Sequence, residues 1–164
     1  MDRWQRRQVD PMEALSTGQG EQRTAREFHR RLLELTVAGG LVFWAATIVT
    51  SLLPIATEYR AARGFQQTTV LVESLFMGMI LAGLVSYGLL RFFDSIPAKN
   101  PIWKAELLSG CALVVVIILI QGAAGLARPE DGWHYFLIGS LMDAPRFILL
   151  GLAIGELYRR STHA

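Results

Sequence analysis

The chain has 164 residues, which is enough for one domain, and carries a net charge of +2. So small a charge argues against nucleic-acid binding, because the arginines lie beside apolar segments and form no single basic surface. The only cysteine, Cys111, excludes a disulfide within the chain.

Charged residues are distributed unevenly along the chain. The first 34 residues hold 13 of the 30 charged side chains, whereas residues 107–127 hold none over 21 positions. An uncharged run of about 20 residues is long enough to cross a bilayer as a helix. The contrast predicts an integral membrane protein with a polar N-terminal tail.

That tail, residues 1–34, is predicted to contain an amphipathic helix next to the membrane. Residues 21–35 carry dense charge of both signs and one apolar stripe at three- and four-residue spacing. The stripe consists of Ala25, Phe28, Leu32 and Leu35. Two interpretations remain open: the arginines of this helix contact anionic lipid, or the helix is solvated and only leads into the bilayer.

Four apolar segments follow the tail and are predicted to span the membrane. They cover residues 36–56, 69–93, 102–126 and 133–158. Short loops between them favour antiparallel neighbours. The sequence therefore predicts an all-α integral membrane four-helix bundle with up-down topology over residues 35–158, followed by a tail at residues 159–164.

Basic residues beside the spans predict the orientation of the chain. Nine lie on the side of both termini, and three, Arg60, Arg63 and Arg128, lie on the other side. Because cytoplasmic loops are enriched in lysine and arginine, we expect both termini in the cytoplasm. The expected location is the cell membrane, as a multi-pass protein of a bacterial inner membrane.

The fourth segment places Asp143 and Arg146 near its middle. With Gly139 and Leu150 they fall at steps of four, three and four, which is one face of a helix. Ionisable groups at this depth are costly unless they are paired or hydrated, so this face is predicted to meet protein or trapped water.

Pro145 lies between these two charged residues and allows two geometries. In one the helix is continuous and kinked, because Pro145 removes the partner of the Leu141 carbonyl. In the other, Asp143 is the N-cap of a new half-helix and the span is broken in two, as at many transporter binding sites. The first is favoured, since Leu141 and Met142 lead directly into the site and neither is a glycine or asparagine that would end a preceding helix.

Glu73 is the acidic residue of the second segment and joins the predicted intramembrane polar network. The second and fourth segments run in the same direction, so Glu73, Asp143 and Arg146 can form one network if the two helices touch. Such a network either fixes helix packing or serves transport or sensing.

Gly151 and Gly155 form a GxxxG pair on the last span. Small residues at this spacing allow close helix contact. The contact can lie within the chain or between two copies of it.

Enzyme classes find little support in the sequence. His29, His134 and His163 are scattered, and no cluster has metal-ligand spacing. No nucleophile elbow or phosphate-binding glycine loop is present. We expect no catalytic residues, no metal and no cofactor.

The leading functional hypothesis is a non-enzymatic accessory or assembly subunit whose polar network fixes helix packing. Its expected partners are the lipid bilayer and either a second copy or a partner membrane protein. The alternative is a proton-coupled transporter or ion-conducting oligomer that uses Glu73 or Asp143 as the titrating group and Arg146 as the counter-ion.

Overall fold

The computed structural model describes the backbone of residues 11–64, 66–122 and 132–163. Within these ranges the chain forms five α-helices: α1 (Pro11–Ser51), α2 (Pro54–Arg63), α3 (Gln67–Arg91), α4 (Pro101–Val116) and α5 (Gly132–His163). A 3-10 turn covers Phe93–Ser95, and a π-helix at Ile117–Gly122 continues α4.

Prolines set the starts of two of these helices. Pro54 begins α2 and Pro101 begins α4, where a fixed φ suits the first turn and no N–H is needed. The side chain of Asn100 caps α4 by accepting a hydrogen bond from the backbone N–H of Ile102 at 3.0 Å. At the other end of α2, Gly64 has a φ of 70°, the left-handed conformation that ends a helix.

The chain divides into two compact units, residues 1–31 and residues 32–164. In the first unit the chain is helical from Pro11 onward. The ring of His29 lies 2.7 Å from the carbonyl oxygen of Ala25 and 6.0 Å from the ring of Phe28. The amphipathic role predicted for this part of the chain stays a prediction.

Within the part of the chain that the structure describes, four helices are long and apolar enough to cross a membrane. The candidate spans are Ala25–Ser51, Gln67–Arg91, Pro101–Leu119 and Gly132–Ser161. The prediction of an all-α, up-down bundle of four long apolar helices is confirmed. The predicted first segment, residues 36–56, includes the break at Leu52 and Leu53 between α1 and α2, and residues 123–126 of the predicted third segment lie outside the described residues.

Helix α5 supplies much of the buried core. Phe147, Leu150 and Ile154 are almost completely buried on it. They belong to one cluster with residues of the other three long helices, among them Phe43, Leu81, Val85, Leu89 and Ala105. The rings of Phe43 and Phe147 meet edge to face, with centroids 5.5 Å apart, which packs α1 against α5.

The glycine pair of α5 faces α4 of the same chain. A Cβ atom on Gly155 would lie 2.6 Å from the Cα of Ile102, and one on Gly151 would lie 2.9 Å from the Cδ of Glu106. The contact at Gly155 is with backbone and excludes a larger residue at this helix separation, whereas the Glu106 side chain near Gly151 can move and the nearest backbone atom there, the Cα of Glu106, would lie at 3.1 Å. The structure therefore uses Gly151 and Gly155 for contact within the chain.

The outer faces of the long helices are apolar. Large side chains such as Val49, Phe76, Ile118 and Leu141 are about two-thirds exposed or more. A soluble protein rarely exposes so much contiguous apolar surface, whereas a membrane protein turns it toward lipid. The four candidate spans and their apolar faces indicate a small multi-pass membrane protein in contact with the bilayer.

Candidate functional site

A polar cluster connects α5 to the end of α1. The guanidinium group of Arg146 donates from Nη1 to Asp143 Oδ1 at 3.0 Å, on the preceding turn of the same helix. Its Nε and Nη2 donate to Thr50 Oγ1 of α1, at 3.1 and 3.0 Å. The side chains of Arg146 and Asp143 are 13% and 15% exposed, so the ion pair is largely buried.

Thr50 is the member of this cluster that the sequence analysis did not identify. Its hydroxyl accepts from Arg146 and donates to the carbonyl oxygen of Thr47 at 3.1 Å, so both its lone pairs and its proton are used. A signal was present, because Thr47, Thr50 and Ser51 put three hydroxyls at the end of an apolar span. Nothing in the sequence indicates which of them meets α5.

Helix α5 passes through Pro145 without a break. The helix extends from Gly132 to His163 with Pro145 inside it. Of the two predicted geometries, the structure has the continuous helix. The side chain of Pro145 is exposed, whereas Asp143 and Arg146 face the bundle. A kink at Pro145 stays a prediction.

A cavity of about 210 Å³ lies next to the cluster, at the end of the bundle where α1 ends. Its polar wall is formed by residues from four helices: Ser51, Tyr59, Arg60, Glu73, Asp143 and Arg146. We call it the polar cavity. Because it holds space for several water molecules, the charged groups around it need not be fully desolvated.

Glu73 lies on the wall of the polar cavity but outside the Arg146 cluster. Among the described residues, its carboxylate forms no hydrogen bond or ion pair with Arg146, whose donors go to Asp143 and Thr50. The residue is exposed. The structure therefore brings Asp143 and Arg146 into direct contact, and Glu73 lines the same cavity without joining the pair.

Arg60 is a second cation on this wall that the sequence analysis did not single out. It lies in the short connection expected between the first two spans, but Pro54 starts a helix there that carries Arg60 to the cavity. Its Nη1 donates to the carbonyl oxygen of Ser51 at 3.1 Å and its Nη2 to Thr57 Oγ1 at 3.3 Å. The first of these hydrogen bonds connects the guanidinium group on α2 to the last residue of α1.

An apolar groove of about 450 Å³ adjoins the polar cavity. Phe76, Met77 and Ile80 of α3 form one wall, and Phe43 and Phe147 lie deeper in the bundle. The groove and the cavity share Val70, Glu73, Asp143 and Arg146 as lining residues. The two spaces are therefore neighbours along α3 and α5.

Helix α4 carries further buried polar groups between Lys104 and Ser109. The ammonium group of Lys104 donates to the carbonyl oxygen of Phe93 and lies 3.6 Å from the centroid of its ring. The hydroxyl of Ser109 donates to the carbonyl oxygen of Phe147 at 2.5 Å. Glu106 Oε1 is buried without a hydrogen-bond partner in the described part of the chain. Lys104 therefore connects α4 to the 3-10 turn, and Ser109 and Glu106 lie at the contact between α4 and α5.

The residues around the polar cavity can hold charge and water. In the ranges that the structure describes, no three His, Cys, Asp or Glu side chains lie close enough to bind a metal ion. The cavity instead combines two guanidinium groups with two carboxylates. That set suits a zwitterion, a proton or ordered water.

The chain matches no protein-family model, no curated protein and no solved structure.

Proposed function

We propose that this small multi-pass membrane protein is a non-enzymatic accessory or assembly subunit, in which a buried polar network holds the helices in one arrangement. In this proposal the bundle is an integral membrane domain with both termini in the cytoplasm, in a bacterial inner membrane. Its polar N-terminal tail contains the juxtamembrane amphipathic helix. Its partner is another membrane protein or a second copy of the chain.

One observation carries the proposal: the guanidinium group of Arg146 joins Asp143 on its own helix to Thr50 on α1. An unpaired arginine inside a membrane span is costly. Of the three hydrogen bonds that offset this cost, the two to Thr50 form only when α1 and α5 adopt one relative register. A defined register gives the bundle a constant outer surface, which a partner protein needs.

The proposal is tested by the assembly state of the chain. The tagged protein, expressed at native level and extracted in a mild detergent, is expected to migrate with a defined assembly larger than its own 18.2 kDa. Arg146→Ala is expected to release it from the assembly. Arg160→Ala is the matched control, because Arg160 is exposed and pairs with Glu156 away from the cluster. Migration as a single chain, both in detergent and after cross-linking in native membranes, contradicts the proposal.

A second candidate function, a proton-coupled transporter or ion-conducting oligomer, is supported by the polar cavity. Glu73, Asp143 and Arg146 all line it, so a titrating carboxylate would have access to water and a counter-ion. In liposomes that contain purified protein, this candidate predicts flux driven by a pH gradient. Glu73→Gln is expected to abolish that flux, and Glu58→Gln, an exposed carboxylate outside the cavity wall, is expected to preserve it. Absence of flux in the parent protein rejects the candidate.

A further inference from the structure

The polar cavity and the apolar groove have the two parts of a binding site for an amphipathic molecule. Four shared residues, including Val70 and Glu73, place the charged end of the combined site directly beside its apolar end. The volumes, about 210 Å³ and about 450 Å³, suit a small polar group and a stretch of hydrocarbon chain. The combined site lies wholly within the unit of residues 32–164.

The charged end contains a cation, Arg60, and an anion, Glu73, that form no ion pair with each other among the residues that the structure describes. Asp143 and Arg146 form an ion pair. In the described part of the chain, Arg60 bonds only to a backbone carbonyl and a hydroxyl, and Glu73 has no cationic partner. Both Arg60 and Glu73 line the polar cavity, so a ligand there meets a guanidinium group and a carboxylate.

The apolar end opens toward the membrane. Phe76 and Ile80 line the groove and are 66% and 59% exposed on a candidate membrane span. Exposed apolar side chains on a span contact acyl chains in a bilayer. A lipid chain can therefore enter the groove sideways without leaving the hydrocarbon phase.

We propose that the combined site binds one diacyl phospholipid with a primary ammonium headgroup, its phosphate on Arg60, its ammonium on Glu73 and one acyl chain in the groove. A guanidinium group matches the geometry of phosphate oxygens. A carboxylate accepts hydrogen bonds from the N–H groups of a primary ammonium. The ligand is of the phosphatidylethanolamine type.

Other headgroups fit these charges less well. A quaternary choline group has no N–H donor and is usually held by several aromatic rings, whereas Tyr59 is the one aromatic residue on the described wall of the polar cavity. A phosphatidylglycerol headgroup carries the same phosphate but no cation for Glu73, so its net negative charge is not balanced at that end of the site. The site therefore selects for ethanolamine among lipids of equal chain length.

Native mass spectrometry of the purified full-length protein tests this selectivity without any substitution. Phosphatidylethanolamine, phosphatidylcholine and phosphatidylglycerol with identical acyl chains are added to separate samples. One charge-assisted hydrogen bond gives about a tenfold preference, so ethanolamine lipid is expected to bind about tenfold more tightly than either other lipid. Equal binding of the three lipids, or tighter binding of phosphatidylglycerol, overturns the proposal.

Two charge variants assign the headgroup contacts. Glu73→Gln is expected to remove the preference for ethanolamine over choline, and Arg60→Gln to weaken all three lipids. Glu58→Gln is the matched control for charge loss on an exposed glutamate and is expected to keep the parental preference. Circular dichroism verifies that each variant keeps its helix content. A folded Glu73→Gln protein with an unchanged preference overturns the headgroup assignment.

The groove is tested by filling it. Val116→Trp narrows the groove that it lines and is expected to reduce lipid binding, whereas Leu84→Trp adds the same ring on an exposed position outside the groove and is expected to have no effect. Soluble glycerophosphoethanolamine lacks the acyl chain and is expected not to displace the lipid. Equal effects of the two tryptophans, or displacement by the soluble headgroup, overturn the groove assignment.

Discussion

Helix α5 contacts its neighbours in two different ways along its length. Its second half packs against α4 through Gly151 and Gly155, with backbone close to backbone. Its first half meets α1 through the long side chain of Arg146, beside a cavity of about 210 Å³. Glycines allow the close contact with α4, whereas a cavity lies beside the contact with α1. We call the part of α5 around Gly151 and Gly155 its tight half, and the part around Asp143 and Arg146 its open half.

The largest effect is expected from removing the cation of the open half. Arg146→Ala leaves Asp143 without its ion-pair partner in a mostly buried position, and we expect a loss of about 3 kcal/mol in the free energy of unfolding. Denaturation in mixed detergent micelles, followed by circular dichroism, measures this loss.

A double variant separates the charge from the packing. Asp143→Leu combined with Arg146→Met removes both charges and keeps apolar volume, so most of the stability is expected to return. A single Arg146→Ala protein as stable as the parent would show that the ion pair does not fix the bundle.

The tight half is tested by enlarging one glycine. In Gly155→Leu the new side chain overlaps the backbone of Ile102, and we expect a loss of about 2 kcal/mol in the free energy of unfolding. Gly110→Leu is the matched control, since a Cβ at Gly110 meets no atom within 4 Å. Equal stability of the two variants would mean that α4 and α5 can separate without cost.

A smaller effect is expected from the hydroxyl that connects the two helices. Thr50→Val keeps the shape of the side chain but removes the acceptor of two Arg146 donors, and a loss of about 1.5 kcal/mol is expected from hydrogen bonds to a charged group. The same unfolding assay applies. Thr68→Val, at an exposed position, serves as the control; if it costs as much, the loss does not come from the Arg146 contact.

The smallest effect on stability is expected at Glu73. Because Glu73 is exposed and lies outside the Arg146 cluster, Glu73→Gln is expected to change the free energy of unfolding by less than about 0.5 kcal/mol. If Glu73 instead formed one network with Asp143 and Arg146, as the sequence predicts, Glu73→Gln would lower the free energy of unfolding by about as much as Arg146→Ala. The same denaturation experiment distinguishes these outcomes.

Local patterns in the sequence determined the four long helices and the pairing of two charged residues on one of them. Hydropathy and length predicted the spans, because a helix that crosses a bilayer needs only its own backbone hydrogen bonds and apolar side chains. The 3.6-residue period placed Asp143 and Arg146 on one face, where the structure pairs them at 3.0 Å. The spacing of Gly151 and Gly155 likewise indicated a close helix contact.

Tertiary structure alone decided which groups meet across helices. Thr50 and Arg146 are 96 residues apart in sequence, and their hydrogen bonds depend on the relative register of α1 and α5. The same packing leaves Glu73 on the wall of the polar cavity but outside the Arg146 cluster, and α2 carries Arg60 to that wall. Register and separation follow from the simultaneous fit of many side chains, and no periodic pattern within one helix specifies that fit.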